Sequence, residues 1–258
     1  MIARAVLLPV FIAVALFITC CSKKESNEPA EEPAPTAVVD TSTAGTITGK
    51  VTLDGTLPKF KPIDMSAEPA CLEANSKPVI PPVVITGEKG ALANVVIYVK
   101  SGLGRYRYDL PQEPADLDQK NCMYDPRVLA VMVNQKLLIR NNDPITHNVR
   151  PIPHVNHPWN KSEPVGEPPI ETSFSKPELA IPIACNIHPW MRAFLFVFDN
   201  PYFAVTPKTG AFELKNLPPG TYTIEAWHER FGTLDQTVTL GSRESKSVTF
   251  VFKVEPPR

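Results

Sequence analysis

The stretch Cys185-Asn186-Ile187-His188-Pro189-Trp190-Met191 decides more about this chain than any other part of it. It brings a thiol, an imidazole and a thioether within seven residues. The run Arg192–Phe198 follows directly, with a phenylalanine at every second position, which indicates a β-strand that is apolar on both faces. We therefore predict a short loop between two strands, with side chains suited to a soft metal ion.

A second imidazole is available upstream, in Asn141-Asn-Asp-Pro-Ile-Thr-His147-Asn-Val149, 38 residues before Cys185. Two imidazoles, one thiolate and a weak axial thioether form the ligand set of a mononuclear type 1 copper site. Taken singly, these residues have commoner explanations, since a lone cysteine usually packs as a small apolar side chain. Their joint occurrence in this order favours copper over zinc, because zinc makes little use of a thioether.

Over about residues 120–198 the sequence resembles the cupredoxins, and among them the amicyanin type. The resemblance rests on the short Cys-x2-His-x2-Met loop and on His147-Asn148-Val149 at nearly the same separation upstream. It implies a Greek-key β-sandwich that holds one type 1 copper ion. The ligands that it implies are His147, Cys185 and His188 as the equatorial set and Met191 as the axial ligand.

Residues beside the ligands are expected to orient and tune the site. Asn148 matches the cupredoxin position whose backbone N–H points at the cysteine sulfur, and its side chain is expected to join the two ligand loops. Ile187 departs from the amicyanin pattern, which has proline there, so a second N–H···S bond becomes available. Pro189 and Trp190 cover the loop, and the resemblance implies that the edge of His188 reaches the surface, where redox partners dock.

Composition and periodicity predict an all-β fold with short helices only. The chain has 29 prolines among 258 residues, and proline suits loops and edge strands rather than helix interiors. The predicted strands include Thr46–Leu53, Val95–Lys100, Val128–Val133, Lys136–Arg140, Arg192–Phe198, Thr221–Trp227 and Ser247–Phe252. The third and fourth of these flank Asn134-Gln135, which predicts a hairpin.

The C-terminal part resembles a second family, the carboxypeptidase regulatory-like domain, which is a small transthyretin-like β-sandwich. The matching residues are Thr206, Gly210, Phe212, Leu217, Pro218, Pro219, Gly220 and Tyr222. Gly49-Lys-Val51 fits the opening strand of that family. We predict one sandwich from residues 46–118 and 200–258, with a cupredoxin domain, residues 119–199, inserted at an exposed turn. The Val95 strand fits either sandwich.

Residues 1–21 are typical of an export signal, because Arg4 precedes an apolar run that is too short to span a bilayer comfortably. Cys20 and Cys21 follow the run, as in a bacterial lipoprotein, and are the candidates for lipidation. An ordinary secreted protein and a retained membrane anchor are the alternatives. Residues 22–45, rich in Pro and Glu, predict a disordered tether. We therefore expect a lipid-anchored protein of the bacterial cell envelope, facing the periplasm or the cell surface.

The remaining cysteines and histidines allow further expectations. In an oxidising compartment spare cysteines commonly pair, so we predict a Cys71–Cys122 disulfide, with two free buried thiols as the alternative. His154 and His157 form a His-x2-His pair in a proline-rich loop, where exposed histidines are the simpler interpretation than a second metal site. His228 has no partner that the sequence identifies.

Charge and residue counts exclude several classes of function. A net charge of -1, from 26 basic and 27 acidic residues, argues against a nucleic-acid partner. Five histidines cannot supply the extra copper cluster of a multicopper oxidase, and a nitrite-reductase-like enzyme needs further shared histidines. Four protein ligands leave no open position for a substrate, so an electron carrier rather than an enzyme is the leading hypothesis. A copper-delivery protein and a non-redox interaction module of the envelope are the alternatives.

Overall fold

The computed structural model describes residues 37–254, so the predicted export signal and the first part of the predicted tether lie outside the described residues. Within 37–254 the chain is all-β, as predicted. Helix is limited there to the six-residue α1 (Pro69–Ala74) and a 3-10 turn at Glu88–Gly90. No helix in this part of the chain is long and apolar enough to cross a membrane.

In the described part of the chain, sixteen strands form four sheets. In chain order they are β1 (Gly45–Asp54), β2 (Val96–Ser101), β3 (Ala115–Lys120), β4 (Met123–Asp125), β5 (Val128–Met132), β6 (Leu137–Asn141), β7 (His147–Pro151), β8 (Lys161–Glu163), β9 (Ile170–Thr172), β10 (Glu178–Ala184), β11 (Arg192–Phe198), β12 (Phe203–Val205), β13 (Ala211–Leu217), β14 (Gly220–His228), β15 (Gly232–Leu240) and β16 (Ser245–Lys253).

The first sandwich is built from both ends of the described chain. One sheet has the order β13-β1-β16 and the other β12-β2-β14-β15. Alternating side chains of both sheets meet in one core, for example Ile47 and Phe250 from one sheet and Ile97 and Ile224 from the other. Because β2 pairs with β12 and β14, the strand predicted from Val95 onwards lies in this sandwich.

The second sandwich uses only strands between β2 and β12. Its sheets have the orders β5-β11-β10-β7-β8 and β4-β3-β6-β9, and Leu117, Ile139, Ile183 and Leu195 pack between them. Strand β3 begins at Ala115 and pairs with β6, so residues 115–118 lie in this sandwich rather than in the first.

The predicted hairpin around Asn134-Gln135 is wrong. Both strands exist, but β5 pairs in parallel with β11, whereas β6 pairs in parallel with β3 in the opposite sheet. Val131 and Ile139 thereby enter the same core from opposite sides. The turn therefore carries the chain across the sandwich, because burial of both strands in a shared core outweighs the local turn preference.

The two sandwiches share a third apolar core. Strand β11 lies between β5 and β10, as predicted for a central strand, and its Leu195 face points into the second sandwich. Its other face, with Phe196 and Phe198, packs against Val96 and Tyr98 of β2 and against Trp227 of β14. A buried ion pair between Arg127 and Glu229, with a 2.7 Å bond from Nη2 to Oε2, joins the sandwiches beside this core.

Candidate metal centre

The ligand loop lies where two neighbouring strands bring its partner histidine close. Strand β10 ends at Ala184 and β11 begins at Arg192, which leaves Cys185–Met191 as the connection. The loop is closed by bonds from the N–H of Cys185 to the C=O of Met191, 3.2 Å, and from the N–H of Met191 to the C=O of His188, 2.9 Å. His147 begins β7, which pairs with β10 and so lies beside the loop.

Three predicted ligands converge inside the protein. A nitrogen of His147, a nitrogen of His188 and the sulfur of Cys185 all lie within 4.8 Å of one another. The two Nδ1 atoms are 2.9 Å apart, and Cys185 Sγ is 3.8 Å from Nδ1 of His188. Met191, on the same loop, has a fully buried side chain in the same apolar core as Cys185.

The donor set fits a type 1 copper ion. Two imidazole nitrogens and one sulfur face one another, and apolar side chains enclose them. Copper takes these three ligands in a trigonal arrangement, together with a more distant thioether. Packing alone does not explain why a buried thiol lies beside two buried histidines. His147, Cys185 and His188 are therefore the residues that would hold the ion.

The surroundings of Cys185 favour a negative charge on its sulfur. Burial raises the pKa of the Cys185 thiol, but hydrogen bonds from His147 and from the backbone N–H groups of His188, Ile187 and Asn148 outweigh it, and the pKa lies below its usual value. The bond from His188 N to Sγ measures 3.3 Å. The N–H groups of Ile187 and Asn148 also help to lower the pKa of the thiol, but the His188 N–H is the backbone donor that lies at hydrogen-bonding geometry to Sγ among the described residues.

Asn148 also joins the two ligand loops through its side chain, as predicted. Its Oδ1 accepts a 3.0 Å hydrogen bond from the N–H of Asn186, the residue after Cys185. Its Nδ2 donates to the C=O of Lys161 at 2.9 Å. A single buried amide thus fixes the strand that carries His147 against the loop that carries Cys185 and His188.

Asp143 is a functional residue that the sequence analysis missed. Its Oδ2 accepts a 2.7 Å hydrogen bond from Nε2 of His147, and its carboxylate also accepts bonds from the N–H groups of Asn121 and Cys122. Burial lowers the pKa of His147, but the bonds to Asp143 and Cys185 outweigh it, so the pKa is raised. With its proton held on Nε2, His147 presents the Nδ1 lone pair to the site. The spacing of Asp143 four residues before His147 was the available signal.

The expectation that the edge of His188 reaches the surface is wrong. His188 is only 2% exposed, although Ile187 and Pro189 on either side of it are exposed. Glu68 Oε2 stands 3.8 Å from its Nε2, and the Trp190 ring lies 5.3 Å from its ring. Burial lowers the pKa of His188, and the neighbouring His147 lowers it further. A segment far away in sequence covers this histidine, which the loop motif could not reveal.

Cys71 and Cys122 form the predicted disulfide, with a Cα–Cα distance of 5.6 Å. Cys122 also lies within 4.8 Å of Asp143 and His147, but its sulfur is committed to that bond and not free to bind a metal. His154 and His157 are exposed, and within residues 37–254 they belong to no cluster of metal-ligand type. His228 is fully buried in the first sandwich, away from the metal centre.

Several solved structures are similar to part of this chain. A copper-containing nitrite reductase from Thermus scotoductus SA-01 is 20% identical over 39% of this chain and 26% of its own, with a TM-score of 0.30. A purple cupredoxin from Nitrosopumilus maritimus is 20% identical over 32% of this chain and 98% of its own, TM-score 0.28. A reduced amicyanin variant is 18% identical over 39% of this chain and 97% of its own, TM-score 0.30.

This chain thus spans about a quarter of the length of that nitrite reductase. Neither protein-family models nor curated proteins gave a match to the chain. Similarity at this level assigns neither ligands nor activity to the chain, and the candidate centre stands on its own geometry.

Proposed function

We propose that this protein is an electron carrier with one type 1 copper ion held by His147, Cys185, His188 and Met191. The observation that carries the proposal is the convergence of two imidazole nitrogens and a thiol sulfur within 4.8 Å in a buried pocket. When bound, copper supplies the one-electron redox couple. Four protein ligands leave no position for a substrate, which favours a carrier over an enzyme.

The surrounding residues prepare the site for electron transfer without large rearrangement. Asp143 holds the proton on Nε2 of His147, so that the orientation of this imidazole is fixed before a metal arrives. The N–H groups that point at Cys185 favour its thiolate form. Burial keeps water away from the donor atoms, and the Asn148 amide prevents the two ligand loops from separating.

A visible spectrum tests the proposal. The soluble part from residue 37 onwards should turn intense blue when Cu(II) is added and lose the colour with ascorbate. Cys185→Ser should abolish the colour, whereas His154→Gln, which alters an exposed histidine, should keep it. Binding without colour would overturn electron transfer at a type 1 site and support a copper-delivery protein instead.

The cellular setting belongs to the same proposal. A lipid on Cys20 or Cys21 would tether the protein to the cell envelope, facing the periplasm or the cell surface, with the predicted tether, residues 22–45, as a spacer. Metabolic labelling with a fatty-acid probe should mark the full-length protein, and the double variant Cys20→Ala/Cys21→Ala should lose the label. Full labelling of that variant would exclude both cysteines as the anchor.

Redox partners would approach near His188. Exposed Ile187 and Pro189 offer apolar contact there, and the side chain of Leu72 is exposed on the helix that carries Glu68 past the site. Oxidation of the reduced protein by a small redox protein should slow on Ile187→Asp, which places a charge on this surface. An unchanged rate would exclude this surface as the docking site.

A further inference from the structure

A loop from the first sandwich covers the candidate metal centre of the second. This capping loop, residues 63–79, lies between β1 and β2 in the sequence and contains α1 but no strand. The N–H of Ile63 donates to the C=O of Val79 at 2.8 Å, which brings the two ends of the loop together. The two ends of the loop are therefore adjacent, unlike those of an extended linker between two elements.

The capping loop is anchored to the metal-binding sandwich at several points. Met65 and Cys71 are buried in the same apolar core as Cys185 and Met191. The disulfide joins Cys71 to the residue before β4. Nδ2 of Asn75 donates to the C=O of Asn121 at 3.0 Å and to the C=O of Cys71 at 2.9 Å.

Glu68, in the capping loop, lies beside the buried outer edge of His188. The ligand loop itself is at the surface, since Ile187 is 49% exposed. What lies over the outer edge of His188 is the capping loop, with Glu68 Oε2 3.8 Å from Nε2. That Nε2 is buried and has no hydrogen-bond partner among the described residues, so it is covered rather than solvated.

The disulfide is placed to act on both histidines. Through Cys71 it holds the loop over His188. Through Cys122 it reaches Asp143, whose Oδ2 accepts bonds from the N–H of Cys122 and from Nε2 of His147, each 2.7 Å. Both cysteines are buried, so dithiols in solution do not reach the bond, and it acts as a permanent lock rather than a switch.

We propose that the capping loop is a disulfide-locked wall of the metal site, which keeps water and external ligands off His188 and thereby retains a bound ion. The retention part rests on the proposed function, whereas the shielding of His188 is a property of the metal-free chain. The juxtaposition of Glu68 with His188, and of Cys122 with Asp143, carries the inference.

Chemical labelling of the metal-free protein tests the shielding. Diethyl pyrocarbonate modifies accessible imidazoles, and exposed His154 and His157 and buried His228 serve as internal standards. In the wild type, His188 should react as slowly as His228. In Cys71→Ala/Cys122→Ala, its rate should rise by at least about tenfold while His228 stays protected, because local opening governs the rate.

Two results of this labelling overturn the proposal. One is fast modification of His188 in the wild type, and the other is unchanged protection of His188 in the double variant. If His228 reacts as well in the double variant, the fold itself has opened. The shielding is then tested with Glu68→Ala, in which the disulfide is intact. Modification of His188 should then accelerate in Glu68→Ala but not in Glu73→Ala, an exposed control on the same helix; equal rates contradict the proposal.

Retention is tested by transfer of Cu(I) from the loaded protein to an excess of a chelator. The double cysteine variant should release copper at least about tenfold faster than the wild type, and Glu73→Ala, an exposed change on the same loop, should not. Equal release rates would refute retention. A protein that binds no copper would instead refute the proposed function, and the labelling would still report on the loop.

Discussion

Single side chains and backbone groups around Cys185 set the properties of the candidate centre. The sulfur accepts a 3.3 Å hydrogen bond from the N–H of His188, and the N–H groups of Ile187 and Asn148 further lower the pKa of the thiol. Such bonds favour charge on the thiolate and reduce what it donates to a metal. The reduced form of a copper site is therefore stabilised, because Cu(I) needs less electron donation from the thiolate than Cu(II) does.

Replacement of Ile187 by proline should lower the reduction potential. Proline removes an N–H that lowers the pKa of the Cys185 thiol, without adding a charge. A bond of about 1 kcal/mol corresponds to about 40 mV for one electron, which is the expected size of the fall. Protein-film voltammetry measures it, with Ile187→Ala as the control that keeps the N–H. An unchanged or higher potential would contradict the prediction.

Replacement of Asp143 by asparagine should weaken copper binding by about 10- to 100-fold, the usual cost of losing a carboxylate that orients a ligating histidine. The amide keeps the size of the side chain but loses the charge that faces Nε2 of His147. Competition against a chelator of known affinity gives the constant. Asp116→Asn is the control, because its ion pair with Arg140 is exposed. Equal affinities of the two variants would exclude an orienting role for Asp143.

The predicted ligands could be read from residue types and spacing, because the chemistry of such a site demands those groups in one short loop. Asp143 and Glu68 could not be found in the same way. Their roles depend on a carboxylate meeting an imidazole, which only the folded chain shows, and acidic residues are common in any sequence.

At the scale of elements, β11 is the strand that contributes side chains to two different cores. One face, with Ala193, Leu195 and Val197, completes the core of the second sandwich. The other face, with Phe196 and Phe198, forms the core between the sandwiches. The alternation along Arg192–Phe198 predicted two buried faces correctly, but it could not show that the second face meets another domain.

Phe196→Ala should destabilise the protein by about 3–5 kcal/mol, the usual cost of removing a buried phenylalanine side chain. Its ring is fully buried and lies 4.8 Å from the ring of Trp227. Urea unfolding followed by tryptophan fluorescence measures the loss. Val251→Ala on β16, a half-exposed position, should change stability by less than about 0.5 kcal/mol. A similarly small effect of Phe196→Ala would mean that the shared core contributes little.

At the scale of the whole molecule, two sandwiches are joined by a third core and by a buried ion pair. The chain leaves the first sandwich after β2 and returns to it at β12, so neither can separate without exposing Phe196, Phe198 and Trp227. Residues 37–44, at the end of the predicted tether, also touch the folded part. The N–H of Arg107 donates to the C=O of Ala37 at 2.8 Å, and that of Arg243 to the C=O of Thr43 at 2.9 Å.

Global stability should fall in mild acid because of His228. Burial, together with the charges of Arg127 and Arg230, lowers the pKa of His228 to about 4. The unfolded chain takes up this proton near pH 6.5, so the folded state loses stability as the pH falls from 6.5 towards 4, by up to about 3 kcal/mol. Denaturant unfolding of the metal-free protein at several pH values measures the slope. His228→Leu should flatten it and exposed His157→Leu should not; the same slope in both would exclude His228 as its source.

The sequence by itself determined the all-β class, the candidate ligands and the two-faced strand β11, and it favoured the pairing of Cys71 with Cys122 that the structure confirms. These follow from short-range rules, namely side-chain alternation, ligand chemistry within one loop and the scarcity of cysteines. Only the tertiary structure decided that β5 and β6 lie in opposite sheets, that Asp143 holds His147, and that the capping loop covers His188. The strand placement and the capping loop depend on which distant segments share a core, and burial in a common core is not encoded in any local stretch of the chain. Asp143 faces His147 because its carboxylate also accepts the N–H groups of Asn121 and Cys122, which lie on a distant part of the chain.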